Sequence, residues 1–254
     1  MGFHRQTVNG AGAAGNSPAL LDGNAVSRQL AQSFVRPPGK LLLLYGDDLL
    51  FRLSLLMAAQ AIAHGGSCAV VDGGNHFDVH LLSRFARERG IVPDDFLNHI
   101  FISRGFTCYQ MEQAIVNRLP AFLRRIHSTT AMVFGLLDTC YDEQAPLREV
   151  RQIVGRILEA LRRMKEDGMS VLVACTEWNV LPAERNELFE SVRTAMDRVY
   201  RLERKEKDRP KLFLEKGVNP HGTHRTDLYE HHRQRVGELV EIPPRPAQGR
   251  PGIV

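Results

Sequence analysis

Five short apolar runs recur along the chain at intervals of helical length, and that alternation limits the fold more than any other feature. The runs lie at 40–45, 67–72, 99–103, 131–137 and 170–175. Segments of helical period follow at 52–64, 77–89, 109–127, 146–167 and 185–197. The runs are apolar almost without interruption, as in Lys40-Leu-Leu-Leu-Leu-Tyr45. Strands of that kind are covered on both faces, and strand–helix alternation is the pattern of a parallel sheet. Two further strands, Arg198–Leu202 and Lys211–Glu215, flank the charged run Glu203–Pro210. That spacing predicts an antiparallel hairpin at the sheet edge. The class is α/β, in three layers, around a mostly parallel central sheet.

The ends of the chain differ from its middle. Residues 1–24 are rich in Gly, Ala, Asn and Ser and read as a flexible arm. Asn24–Phe34 suits a short amphipathic helix that Arg36-Pro-Pro-Gly39 ends. The organisation is an arm over 1–37, a core domain over 38–216, and a basic His/Pro/Gly-rich extension over 217–254. A chain of 254 residues with 43% hydrophobic and 24% charged residues supports one such domain. Its net charge of +4 is mildly basic and does not by itself identify a polyanion partner. Cys68, Cys108, Cys140 and Cys175 form no C-x-x-C pair and read as reduced core cysteines, which predicts a cytoplasmic protein. No apolar run is long enough to span a bilayer, and the N-terminus lacks a signal-peptide core, so no membrane is expected.

The stretch Tyr45–Leu55, YGDDLLFRLSL, joins the first strand to the first long helix. A phosphate-binding loop in that place reads G-x-x-x-x-G-K-[ST]. Gly46 supplies the first glycine, but Phe51 stands for the second, Arg52 for the lysine and Leu53 for the hydroxyl residue. Ser54 comes one position late, about 100° further round the helix. Asp47 and Asp48 add negative charge where a polyanion would sit. The side chains of Leu49 and Phe51 fall where phosphate oxygens would lie, so Leu49, Leu50, Phe51 and Leu53 read as packing residues.

Further along come Phe77-Asp-Val-His-Leu-Leu82, the run Ile91-Val-Pro-Asp-Asp-Phe-Leu-Asn-His-Ile100, and Ser103-Arg-Gly-Phe-Thr-Cys-Tyr-Gln-Met111. With the strand at 131–137, Tyr141, a long helix and the strand Ser170–Cys175, this order resembles the core of the RecA/RadA recombinase family, particularly its archaeal and eukaryotic branch. The resemblance covers roughly residues 38–216. It implies a RecA-like P-loop NTPase fold, and it marks where the chemistry departs from the family. Gly74 stands where the family has the glutamate that activates water. Gly135 stands where the magnesium-binding aspartate ends a strand, with Asp138 three residues later and out of register. Glu177 replaces a phosphate-sensing glutamine. Phosphoryl transfer depends on these parts together, so the resemblance implies a pseudo-ATPase. No cofactor is expected, and ATP binding is not.

The family's DNA-contacting loops correspond to 142–148 and 178–186, which gives Arg148, Arg151, Trp178, Arg185 and Arg193 as candidate DNA contacts. Lys205 and Lys207 in the charged hairpin join them. Solvated helix arginines are the competing reading for these arginines. His221, His224, His231 and His232 are weak metal candidates, because the H-E-x-x-H pattern is absent. The expected function is a non-catalytic recombinase paralogue in DNA recombination or repair. It would contact single-stranded DNA, an active recombinase, or another copy of itself, with 24–36 and 237–254 as candidate docking segments. The alternatives are a regulatory protein-interaction scaffold unrelated to DNA and a residual nucleotide-binding protein.

Overall fold

The computed structural model describes residues 30–32, 34–141, 145–176, 180, 183–204 and 210–217. Its elements are β1 (Leu41–Gly46), α1 (Leu49–Ala63), β2 (Cys68–Asp72), α2 (Val79–Arg87), α3 (Pro93–Leu97), β3 (Ile100–Arg104), α4 (Cys108–Glu112), α5 (Leu119–Arg125), β4 (Thr130–Phe134), α6 (Leu147–Glu166), β5 (Ser170–Thr176), α7 (Asn186–Ala195), β6 (Arg198–Glu203) and β7 (Lys211–Lys216). A π-helical segment, Gln113–Arg118, joins α4 to α5. The seven strands form one sheet in the order β3-β2-β4-β5-β1-β6-β7. Each neighbouring pair is parallel except β6–β7, the antiparallel edge pair.

The strand order explains the three layers. Connections from β1 to β2 and from β2 to β3 run toward the β3 edge, and those from β3 onward run back toward β6. Crossovers between parallel strands are right-handed, so the two sets lie on opposite faces. One core joins Leu42, Leu44, Val70, Met132, Phe134 and Leu172 to α1, α2 and α3. The other joins Leu41, Leu43, Val71, Val133, Val171 and Val173 to the helices from α4 to α7. Successive residues of the inner strands β1, β2, β4 and β5 thus point to different cores, which is why those strands are apolar on both faces.

Several local features differ from the sequence-based expectation. The helix expected from Arg52 begins at Leu49. The strand expected to reach residue 137 ends at Phe134, because Gly135 takes a left-handed φ of 60°. The helix expected over 109–127 is broken at the π segment, where Pro120 has no N–H to return to the carbonyl of Val116. The short α3, started by Pro93, was not expected. Residues 30–32 and 34–35 are helical, and Ala31 and Phe34 are buried in the α1-side core. Part of the expected arm therefore belongs to the packed domain. Among the described residues no helix is long and apolar enough to cross a membrane. All four cysteines are buried, and none forms a disulfide.

Candidate functional site

In an open α/β sheet, ligands bind at the carboxyl ends of strands where neighbouring connections leave on opposite faces. Two such places occur here. The chain leaves β1 for α1 on one face and the adjacent β5 for α7 on the other. It likewise leaves β2 for α2 and the adjacent β4 for α6. The turn at Gly46 and the segments after β2 and β4 line this region.

The turn after β1 is built for the sheet. Gly46 has φ 115°, and a Cβ there would lie 2.2 Å from the Leu202 carbonyl oxygen of β6. This glycine thus permits close backbone approach to β6. Asp47 N–H then donates to the same carbonyl at 2.9 Å. The first N–H groups of α1 are already bonded. Leu49 donates to Asp47 Oδ1 at 3.0 Å, Leu50 to the Asp47 carbonyl at 3.0 Å, and Phe51 to the Asp48 carbonyl at 3.2 Å. The Asp47 carboxylate therefore holds the place at the helix N-terminus that an external anion would take. Burial pushes its carboxyl above the ordinary aspartate range, against the lowering effects of the Leu49 N–H and of Arg204. Arg204 spans the acidic pair, 3.3 Å from Asp47 and 3.9 Å from Asp48.

The space beyond α1 is filled. Phe51 is 4% exposed and lies flat on the His76 imidazole, with ring centroids 3.5 Å apart. Its other neighbour is Phe134, edge-on at 5.6 Å. His76 Nε2 and Asp138 Oδ2 are 3.1 Å apart. The segment that carries His76 is held by Asp72 at the end of β2. Asp72 Oδ1 accepts from the N–H groups of Gly74 (3.3 Å) and His76 (3.0 Å), and Oδ2 accepts from Phe77 (3.0 Å). The second oxygen of Asp138 is buried with no hydrogen-bond partner.

Gly74 and Gly135 meet in this stack. A Cβ on Gly74 would lie 2.1 Å from His76 Nε2 and 2.8 Å from Asp138 Oδ2. A Cβ on Gly135 would lie 2.8 Å from Gly74 N and 2.9 Å from Asp138 Oδ2. A glutamate at 74 or an aspartate at 135 is incompatible with the stack as it stands. Asp138, out of register as a strand-end residue, is turned toward His76 by the left-handed turn at Gly135 and a 3₁₀ turn, Asp138–Cys140.

The other α1 positions follow the packing reading. Leu49, Leu50 and Leu53 are buried. Ser54 is buried and donates its hydroxyl to the Leu50 carbonyl at 2.8 Å. Arg52 points toward Asp78, 4.0 Å away. His76 and Asp72 are absent from the sequence-based candidates. Asp72 had a local signal, an aspartate at a strand end followed by Gly-Gly-Asn-His, which suits side-chain capping of a turn. His76 had none, because its role depends on Phe51, 25 positions away in the chain.

The candidate DNA contacts among the described residues differ in their surroundings. Arg185 is 4% exposed, and its two Nη groups donate to the carbonyls of Cys140 and Ala145, each at 2.7 Å. It cannot reach a phosphate from there, which corrects the sequence-based expectation. Arg151 pairs with Glu187 at 2.9 Å. Arg193 pairs with Glu190 and Glu215 near the far end of α7. Arg148 is exposed in the first turn of α6. Glu177, Trp178, Lys205, Lys207 and the histidines 221, 224, 231 and 232 lie outside the described residues. Among the described residues no three metal-ligating side chains converge. No protein-family model matches the chain, and no curated protein matches it.

Proposed function

We propose that this chain is a non-catalytic relative of the RecA/RadA recombinases, built on their P-loop core and acting by contact rather than by ATP turnover. The observation that carries the reading is Phe51 stacked on His76, which is itself bonded to Asp138, at the switch point where a nucleotide's phosphates would be held. Phosphoryl transfer needs donors aimed at phosphate oxygens and a metal-binding carboxylate. At this site the first α1 donors serve Asp47 and Asp48, and Asp138 serves His76. The resemblance in the sequence supplies the contact partners, single-stranded DNA or an active recombinase.

Two titrations test the proposal. Equilibrium dialysis with ATP and magnesium should give no saturable binding at micromolar nucleotide. Binding to single-stranded DNA should be measurable at low salt and fall with added salt, as phosphate contacts require. Saturable micromolar ATP binding would overturn the non-catalytic part. Absence of both low-salt DNA binding and co-purification with a recombinase would overturn the contact part.

A further inference from the structure

The rim beyond the carboxyl end of β3 carries two aromatic rings in solvent. Phe106 is 69% exposed and Tyr109 is 46% exposed. A single exposed apolar side chain is ordinary, but two aromatic rings three residues apart ask for a reason.

Both rings are held in place. Thr107 caps α4, and its hydroxyl oxygen accepts from the Gln110 N–H at 3.2 Å. Gln110 reaches back, and its Oε1 accepts from the Phe106 N–H at 2.8 Å. The two bonds form a variant of the capping box, with the return bond made one residue before the N-cap. Gly105 N–H donates to the Asp72 carbonyl at 3.1 Å, which ties the preceding residue to the end of β2. The backbone of Phe106 is thus fixed on both sides while its ring stays in solvent. The Tyr109 hydroxyl donates to Glu149 in the first turn of α6, so this ring spans from α4 to α6. An ion pair between Arg156 and Glu112 joins the same two helices further along.

Arginines flank the rings. Arg104 ends β3 two residues before Phe106, and Arg148 precedes Glu149 in α6. Both are exposed, and neither forms an ion pair with a described residue.

We propose that this rim is a single-strand contact surface, where unpaired DNA bases stack on Phe106 and Tyr109 and the adjoining phosphates meet Arg104 and Arg148. Proteins that bind single strands combine aromatic platforms with cations that follow the backbone. Here a cation stands at each end and two rings lie between them. A ring 69% in solvent lines no pocket, so it suits a base, which brings its own flat face, better than a peptide anchor, which needs a pocket to fill. Glu149 lowers the net positive charge of the rim, so affinity rests on stacking more than on phosphate contact. Stacking is tolerant of sequence, because every base has a π-face. Arg104, Phe106 and Tyr109 lie outside the segments that the resemblance assigns to DNA, and Arg148 adjoins them. The inference rests on the contact reading above and gives it a surface.

The test uses the full chain and a labelled oligothymidylate at low salt, followed by fluorescence anisotropy. Phe106→Ala and Tyr109→Ala should each weaken binding by about fivefold or more. Phe106 is exposed, so its variants should keep the wild-type circular dichroism spectrum. Phe106→Leu keeps apolar bulk without a π-face and should lose as much as Phe106→Ala, while Phe106→Trp should retain binding. An oligonucleotide with abasic sites should bind wild type several-fold more weakly than oligothymidylate. For the Phe106→Ala, Tyr109→Ala double variant the two oligonucleotides should bind alike, a coupling that a merely structural role does not produce. Wild-type affinity in Phe106→Ala or Phe106→Leu overturns the proposal and leaves the contact reading standing. Equal binding of the two oligonucleotides by wild type has the same consequence. So does a wild type that binds no oligothymidylate yet co-purifies with a recombinase. A wild type that does neither overturns both.

Discussion

Phe51 and His76 are stacked within 6° of parallel, one ring from the first turn of α1 and the other from the segment after β2. The contact joins two elements that a nucleotide-binding site would keep apart. Removing the Phe51 ring leaves a void between His76 and Phe134 and takes away a buried aromatic pair. Phe51→Ala should lower unfolding free energy by about 3–5 kcal/mol in urea denaturation. It should not create ATP binding, because the α1 N–H groups remain bonded to Asp47 and Asp48. An ATP titration of the variant, run while it is folded, checks the second half.

Gly135 and Gly74 are set by the same stack. Gly135→Ala combines a left-handed φ with a 2.8 Å approach to Gly74 N, which is backbone and cannot turn aside. The expected loss is about 2–3 kcal/mol. Gly74→Ala meets mainly the His76 ring and the Asp138 carboxylate, which are side chains. It should break the His76–Asp138 bond at smaller cost to the fold, visible as a changed His76 ring environment by NMR. Equal losses for the two variants would contradict this account.

Asp47 gives a pH signature. Its folded-state carboxyl titrates above its unfolded value, chiefly through burial. Its contribution to stability is therefore fully present below the unfolded aspartate range and is lost as pH rises through the raised folded value. Asp47→Asn keeps an oxygen to accept from Leu49 and has nothing to titrate. The stability of Asp47→Asn relative to wild type should rise between about pH 3 and pH 7. Thermal melts at both pH values measure it. A difference that falls over this range would show that the Arg204 ion pair outweighs desolvation.

The strand–helix frame was legible because inner strands of a parallel sheet are apolar on both faces, and the runs of β1, β2, β4 and β5 have that character. The hairpin was legible from the charged run between Leu202 and Lys211. What escaped was short or non-local. Five residues at α3 are too few to show a period, and the π segment depends on one missing N–H at Pro120. In the site, Gly74 and Gly135 stood out as departures from a pattern, yet their physical reason did not. It lies in His76 and Asp138, which three-dimensional packing alone brings together beside Gly74 and Gly135. Arg185 misled for a related reason. A guanidinium in a loop reads as surface, and its burial is decided by the carbonyls of Cys140 and Ala145, some 40 positions earlier.

Arg185 and Arg148 separate structural from binding arginines. Arg185→Ala removes two charge-assisted bonds that join the turn after β4 to the start of α7, and leaves two buried carbonyls unpaired. Each such bond contributes roughly 1.5–3 kcal/mol, so the variant should lose about 3 kcal/mol or more of stability. The salt dependence of any DNA binding should be unchanged, since the buried side chain neutralises no phosphate. Arg148→Ala should do the reverse. Its exposed position makes a stability change within about 0.5 kcal/mol, and if it meets DNA the slope of log affinity against log salt should shrink by about one. Paired urea melts and salt titrations on the two variants check both halves. A reduced salt slope in Arg185→Ala with full stability would show that this guanidinium is released to contact DNA.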